Sequence, residues 1–126
     1  MSASNPIPPA RAWADIDLGA LVANARTVLS VSGSRLLPMV KANAYGHGIE
    51  RAYEGLRGAD GFALLDLNEA ERVRALGWRG PVLLLEGAFE LRDLELCSRL
   101  DLWHVVHCTE QIDWLAAHKT HAPHRV

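Results

Sequence analysis

The sequence predicts an α/β fold of parallel strands alternating with covering helices, and three observations lead there. Four short apolar runs, LLPMVK (36–41), DGFALL (60–65), PVLLLE (81–86) and LWHVVH (102–107), are each followed by a stretch with helical periodicity. The ends of these runs, near Lys41, Leu65, Leu85 and Val106, fall about 20 to 24 residues apart. No Rossmann-type glycine pattern follows the first run. Apolar strands alternating with helices mean a parallel sheet with helices packed outside it. Four such units without the glycine pattern favour a TIM-like β/α barrel over a doubly wound sheet.

The elements follow in order. Residues 1–11, MSASNPIPPAR, hold Pro6, Pro8 and Pro9 and read as a flexible, extended arm. AWADID (12–17) alternates apolar and acidic residues, the pattern of a half-exposed strand. Asp17 then stands where a helix cap belongs, and Leu18, Leu21, Val22, Ala25, Val28 and Leu29 share one helical face until Gly33. After LLPMVK comes a loop containing glycines, then a helix over about 49–57. The second run leads to a helix over about 67–76, with Asp66 as cap and Glu69 three residues on, as in a capping box. The third leads to a helix near 89–100, and the fourth to a helix from Thr109, the expected cap, to about His118.

At 126 residues the chain is long enough for one domain with a real core. Yet a β/α barrel takes eight units and typically about 250 residues. The expectation is therefore a partial barrel over residues 12–126: one strand and a helix, then about four βα units. Half a barrel leaves open sheet edges and an uncovered apolar face, so a truncated, marginally stable chain is expected. PHRV (123–126) reads as the start of a fifth strand.

Composition bounds the partners. A formal charge of −2, with 22% charged and 49% hydrophobic residues, gives no electrostatic reason to expect nucleic acid or an anionic membrane. No apolar run reaches membrane-helix length and the start lacks a secretory pattern, so a cytoplasmic location is expected. Cys97 and Cys108 lack metal-ligand spacing and read as partly buried free thiols.

Lysine is scarce, with Lys41 and Lys119 against eleven arginines. Lys41 closes the first run, at the strand end where parallel β/α folds bind ligands. An amine in apolar surroundings is disfavoured in its charged form and so becomes nucleophilic, as capture of an aldehyde cofactor requires. A lysine reaching from a strand end into solvent would look the same.

The residues around Lys41 separate the two. VKANAYGHG (40–48) closely resembles the pyridoxal 5'-phosphate (PLP) attachment motif of alanine racemases. AWADIDLGALVANAR (12–26) and GADGFALLDLNEAERVRALGWRGPVLLLEG (58–87) flank it in the family's order. The resemblance runs from about Ala12 to Gly87 and is weaker beyond. It implies that Lys41 carries PLP as a Schiff base and serves as the base on one face of Cα. It also implies that the Tyr45 hydroxyl binds the cofactor phosphate and that Leu85 lines the cofactor pocket. Gly46 and Gly48 would let the loop turn; His47 belongs to the motif without a firm catalytic role, and a structural hydrogen bond in the loop suits it at least as well.

The family's second base is a tyrosine from the C-terminal domain of a partner subunit, in a homodimer with a shared active site. Tyr45 and Tyr53 are the only tyrosines here, and neither matches it. The resemblance thus implies interconversion of L- and D-alanine, supplying D-alanine for peptidoglycan, by a longer protein of which this chain alone is inactive. A broader racemase acting on serine, or a non-catalytic PLP carrier, remains open on these residues.

Two other features invite function. His104 and His107, then His118, His121 and His124, recur at intervals of three, but no cysteine or carboxylate completes a metal-ligand spacing and Pro123 interrupts the last group. They read as a solvated histidine-rich connection, with no metal. Glu69, Glu71, Arg72 and Arg74 read as the solvated face of their helix.

Overall fold

A computed structural model describes residues 12–119 and 122–126. The arm expected over 1–11 and His121 lie outside the described residues. The elements run α1 (Leu18–Ser32), α2 (Lys41–Tyr45), α3 (Ile49–Leu56), β1 (Phe62–Leu64), α4 (Leu67–Ala75), β2 (Val82–Leu84), α5 (Asp93–Arg99), β3 (Trp103–His104) and α6 (Thr109–Ala117). The strands form one parallel sheet in the order β1-β2-β3. Single parallel bridges, Met39 to Ala63 and Trp103 to Arg125, extend it at both edges. This is a mixed α/β fold with a small parallel sheet.

The helix ends follow local chemistry. Asp17 accepts the Ala20 N–H at 3.0 Å, and Gly33 closes α1 at φ 61°, returning its N–H to Leu29. The apolar face of α1 packs on α3, where the absence of a side chain at Gly55 admits Leu21: a Cβ there would stand 3.1 Å from that of Leu21. Val28, at the edge of the stripe, is exposed rather than packed.

Several expectations are corrected. AWADID takes no sheet partner among the described residues and is not a strand. Alternation alone forms no strand when the backbone has no edge to pair with. LLPMVK makes one bridge instead of a strand, because Pro38 has no N–H to donate to the ladder. The third covering helix starts at Asp93, not near Phe89. The Asp93 carboxylate accepts the N–H groups of Phe89 and Glu90, both at 3.0 Å, and holds that stretch as a turn. At α6 the cap position is Cys108, without a side-chain cap bond, and the helix ends at Ala117. Asp66 does cap α4, accepting from Asn68, but Glu69 does not complete a capping box; its carboxylate goes to Asn43.

The core lies between the sheet and α3, α4 and α5, built on Val40, Ile49, Phe62, Leu64, Val73, Val82, Leu84 and Cys97. Phe62 is fully buried and meets Trp78 edge-on at 5.0 Å between ring centroids, with Tyr53 at 5.7 Å. Arg74, expected in solvent, is instead half-buried. Its guanidinium donates to the carbonyls of Leu100, Trp78, Gly80 and Asp101 at 2.7–3.0 Å, joining the end of α4 to the end of α5. Glu71 is exposed.

The two cysteines differ more than the sequence implied: Cys97 is buried and Cys108 exposed, and both are free. Burial first, and Asp93 second, push the Cys97 thiol up to about 11. A thiol reagent at neutral pH is expected to label Cys108 quickly and Cys97 only as the fold opens. Equal labelling rates in the folded protein would contradict this core.

Candidate active site

The sheet's register assembles the site. Met39, Ala63, Leu83, Trp103 and Arg125 stand side by side across the strands. Two residues further on, at the C-terminal ends, come Lys41, Leu65, Leu85 and Val105. The ladder reaches that level, since Leu85 N–H donates to Leu64 at 2.9 Å and Val105 N–H to Leu84 at 3.0 Å. All four residues are half-buried. Lys41, the first residue of α2, thus stands at the same end of the sheet as Leu85.

Beyond Val40 the chain does something the sequence did not reveal. Ala42 (φ 50°, ψ 49°), Asn43 (56°, 44°) and Ala44 (56°, 49°) are left-handed, and Tyr45 follows at φ 55°. α2 is therefore one left-handed turn, closed by Ala44 N–H to Val40 at 2.9 Å and Gly46 N–H to Ala42 at 3.1 Å. Left-handed backbone costs an L-residue other than asparagine roughly 1–2 kcal/mol, so Ala42, Ala44 and Tyr45 together store on the order of 3–6 kcal/mol. Such strain persists only where the surroundings over-determine it. Gly46 and Gly48, at φ 86° and 92°, carry the chain out of the turn.

The surroundings that hold this turn come from α3 and α4. Glu69 Oε1 accepts the Asn43 N–H at 2.9 Å. Asn43 Oδ1 accepts from the Ile49 N–H at 3.0 Å and from Arg72 Nη2 at 2.9 Å. It thereby caps α3, a task for which Gly48 has no side chain. Arg72 grips Glu50 with two bonds, at 3.0 and 2.7 Å, and this holds the Glu50 carboxyl below its ordinary range. His47 Nδ1 meets the Ala44 carbonyl at 2.9 Å, a structural bond within the loop. The reading of Glu69 and Arg72 as a solvated face is thus overturned; α4 turns that face toward the loop.

Lys41 and Tyr45 are brought together, with Lys41 Nζ 5.8 Å from the centroid of the Tyr45 ring. The ring is 59% exposed at the open side of the turn. An aldehyde-and-phosphate cofactor needs an amine, a donor for phosphate and an apolar surface for its ring. Lys41 has the chemistry of the first and the Tyr45 hydroxyl that of the second; Leu65, Leu85 and Val105 are apolar residues at the same end of the sheet. These residues fit one side of PLP.

The histidines form a second cluster, away from Lys41. His104 Nε2 lies 3.3 Å from His124 Nδ1, His124 Nε2 lies 3.0 Å from His118 Nδ1, and His118 Nε2 lies 3.4 Å from Glu95. His104 is buried and His118 and His124 half-buried, so the solvated-connection reading fails for these three. The chain folds back because Arg125 bridges Trp103 and accepts the His104 N–H at 3.0 Å. Among the described residues no group of three His, Cys, Asp or Glu side chains is arranged to hold a metal ion.

Burial, and next the neighbouring histidine, lower the pKa of both His104 and His124. The folded form therefore resists protons that the unfolded chain takes up near pH 6.5. Stability present above about pH 6.5 is lost as the pH falls toward the depressed values. Acidification from about pH 7.5 to 5.5 is expected to lower the thermal midpoint and the protection factor of the His104 amide, taken relative to the intrinsic exchange rate at each pH; a flat profile in both would contradict it.

Similarity to known proteins gives the family. Residues 16–126 match the family model described as alanine racemase, N-terminal domain. A protein named alanine racemase from Paracidovorax citrulli is 75% identical over 114 residues, covering 90% of this chain and 31% of that protein. The solved alanine racemase from Acinetobacter baumannii superposes with a TM-score of 0.78 at 35% identity, over 81% of this chain and 31% of that one. The biosynthetic alanine racemase of Pseudomonas aeruginosa gives 0.77 at 38%, over 81% and 29%. The chain spans about a third of the length of the relatives it matches. Among the described residues no helix is long and apolar enough to cross a membrane.

Proposed function

The chain belongs to the alanine racemase N-terminal domain family, and from that premise we propose that it forms the cofactor-anchoring part of a PLP-dependent alanine racemase. The observation that carries the proposal is Lys41 at the strand end, with the Tyr45 ring 5.8 Å away across a left-handed turn held from outside.

On this reading residues 12–126 are the first part of a PLP-binding β/α barrel. Later strands close the barrel, and a C-terminal domain follows. The protein is cytoplasmic and works as a homodimer.

Lys41 holds the cofactor covalently, and Tyr45 donates a hydrogen bond to a phosphate oxygen. The apolar side chain of Leu85 lines the pocket. Bound there, PLP would delocalise the electron pair left at Cα when an amino acid loses its α-proton. The Lys41 amine, when free, would remove or return that proton on one face. Inversion needs a second acid on the opposite face; the resemblance assigns it to a tyrosine of the partner subunit, and neither Tyr45 nor Tyr53 matches that residue. The donors that complete the cofactor site belong to later strands.

The test is hydrogen exchange at Cα. The intact protein that carries this sequence, given PLP and L-alanine in D₂O, is expected to release D-alanine with deuterium at Cα. Unlabelled, uninverted alanine from folded, PLP-loaded protein would overturn the proposal. A higher kcat/KM for L-serine in the same assay would replace alanine with a broader substrate class.

A further inference from the structure

The left-handed turn beside Lys41 is strained, and besides its own backbone bonds it is held by side chains from outside the motif. We propose that Glu69 and Arg72 of α4 are positioning residues for Lys41, acting through Asn43; the inference rests on the reading of Lys41 as the cofactor-bearing lysine.

Three observations converge. The Asn43 N–H, second in the left-handed turn, has no carbonyl of its own turn to receive it, and Glu69 Oε1 takes it at 2.9 Å. The other Glu69 oxygen, Oε2, is buried with no hydrogen-bond partner among the described residues. A half-satisfied carboxylate is an expensive arrangement in a protein interior. It is accounted for when the bond made by Oε1 matters more than the one Oε2 lacks.

The third observation is Arg72. Its Nη2 reaches both Asn43 Oδ1 and Glu50. One guanidinium therefore ties the turn to the first turn of α3, while Glu69 ties the same asparagine to α4. Asn43 is two residues from Lys41, so both restraints act on the lysine's backbone without touching cofactor or substrate. An exposed ion pair alone would contribute little. What these bonds add is a fixed direction for Lys41 and Tyr45, and a site held to within a fraction of an ångström depends on such supports.

A role confined to packing α3 on α4 would lower stability without selecting the turn. The experiment separates the two on the intact protein that carries this sequence. Backbone amide exchange at Asn43, Ala44 and Tyr45 is followed without cofactor, and the rate of PLP adduct formation on Lys41 is followed by borohydride trapping. Glu69→Ala is expected to speed exchange in the turn by about tenfold or more and to slow the adduct by a comparable factor. Glu69→Gln keeps an acceptor for the Asn43 N–H and is expected to restore most of both. Glu71→Ala, an exposed neighbour, is expected to change neither.

Should Glu69→Ala not fold, Arg72→Lys gives the same comparison, because it keeps the charge but loses the fork that reaches Asn43 and Glu50 together. Unchanged exchange in the turn overturns the clamp. Faster exchange with an unchanged adduct rate overturns the positioning role. A wild-type protein whose adduct does not map to Lys41 overturns the cofactor reading instead, and does so independently of the exchange data.

Discussion

Lys41→Ala is expected to abolish the PLP adduct and to lower racemisation by about 10⁴-fold or more, while leaving the fold in place. The amine has two tasks on the proposed reading, covalent attachment and proton transfer, and alanine can perform neither. Lys41 is only half-buried, and its own backbone is outside the left-handed stretch. Truncation to alanine therefore strains nothing, and stability is expected to move by no more than about 0.5 kcal/mol. Loss of adduct with an unchanged unfolding midpoint is the informative result. An equal loss of both would mean that the lysine supports the fold, and the catalytic assignment would fail. Tyr45→Phe is a milder companion, expected to weaken cofactor retention by the worth of one phosphate hydrogen bond while the adduct still forms.

The largest effect on stability is expected from Gly87→Ala, at about 3 kcal/mol or more. Gly87 turns the chain just past the end of β2 at φ 71°, a left-handed position that strains any side chain by roughly 1–2 kcal/mol. A Cβ there would also overlap the Val105 carbonyl oxygen and stand 3.0 Å from Gln111 Nε2. Neither neighbour gives way easily. Val105 is held in the ladder by its N–H to Leu84. Gln111 is buried, donating to the Ala88 carbonyl at 2.8 Å and accepting the His107 N–H at 2.8 Å. Gln111 thus stitches together the loops after β2 and β3, and the added methyl would part them. A lower denaturant midpoint at unchanged slope is the expected signature. Gly58→Ala, at a position with nothing within 4 Å and no positive φ, is the matched control. Comparable loss in both variants would contradict the packing described here.

The sequence made the order of elements readable where a local rule fixed them. Asp17 and Gly33 bound α1 because a cap and a left-handed glycine act within a single turn of chain. The apolar runs marked the sheet, but their paired lengths depended on partners, and the one with Pro38 shrank to a single bridge. AWADID was misread for a related reason, since alternation describes a strand only when another backbone is there to pair with it.

The site was readable in part. Lys41, Tyr45 and Leu85 follow from the resemblance; the chain brings Lys41 and Tyr45 together across the turn, and Leu85 stands just past the end of β2. The turn that joins Lys41 to Tyr45 was not readable. Alanine favours right-handed helix, so in KANAY only Asn43 hints at the opposite hand, and one asparagine does not mark a whole turn. The groups that hold it lie 22 to 29 residues from their partners in sequence. Glu69 even satisfied a local rule, the capping box with Asp66, that its side chain does not follow. The histidines likewise gained partners only when the last residues folded back onto β3.

The most direct test of the central claim is where PLP attaches. The chain offers two lysines, Lys41 and Lys119, which lie in different tryptic peptides. Incubation with PLP, borohydride reduction and peptide mapping are expected to place the adduct on Lys41, with Lys119 labelled at most in proportion to its exposure as an unselected surface amine. Equal labelling of the two lysines, or none at Lys41 in folded protein, would contradict the account.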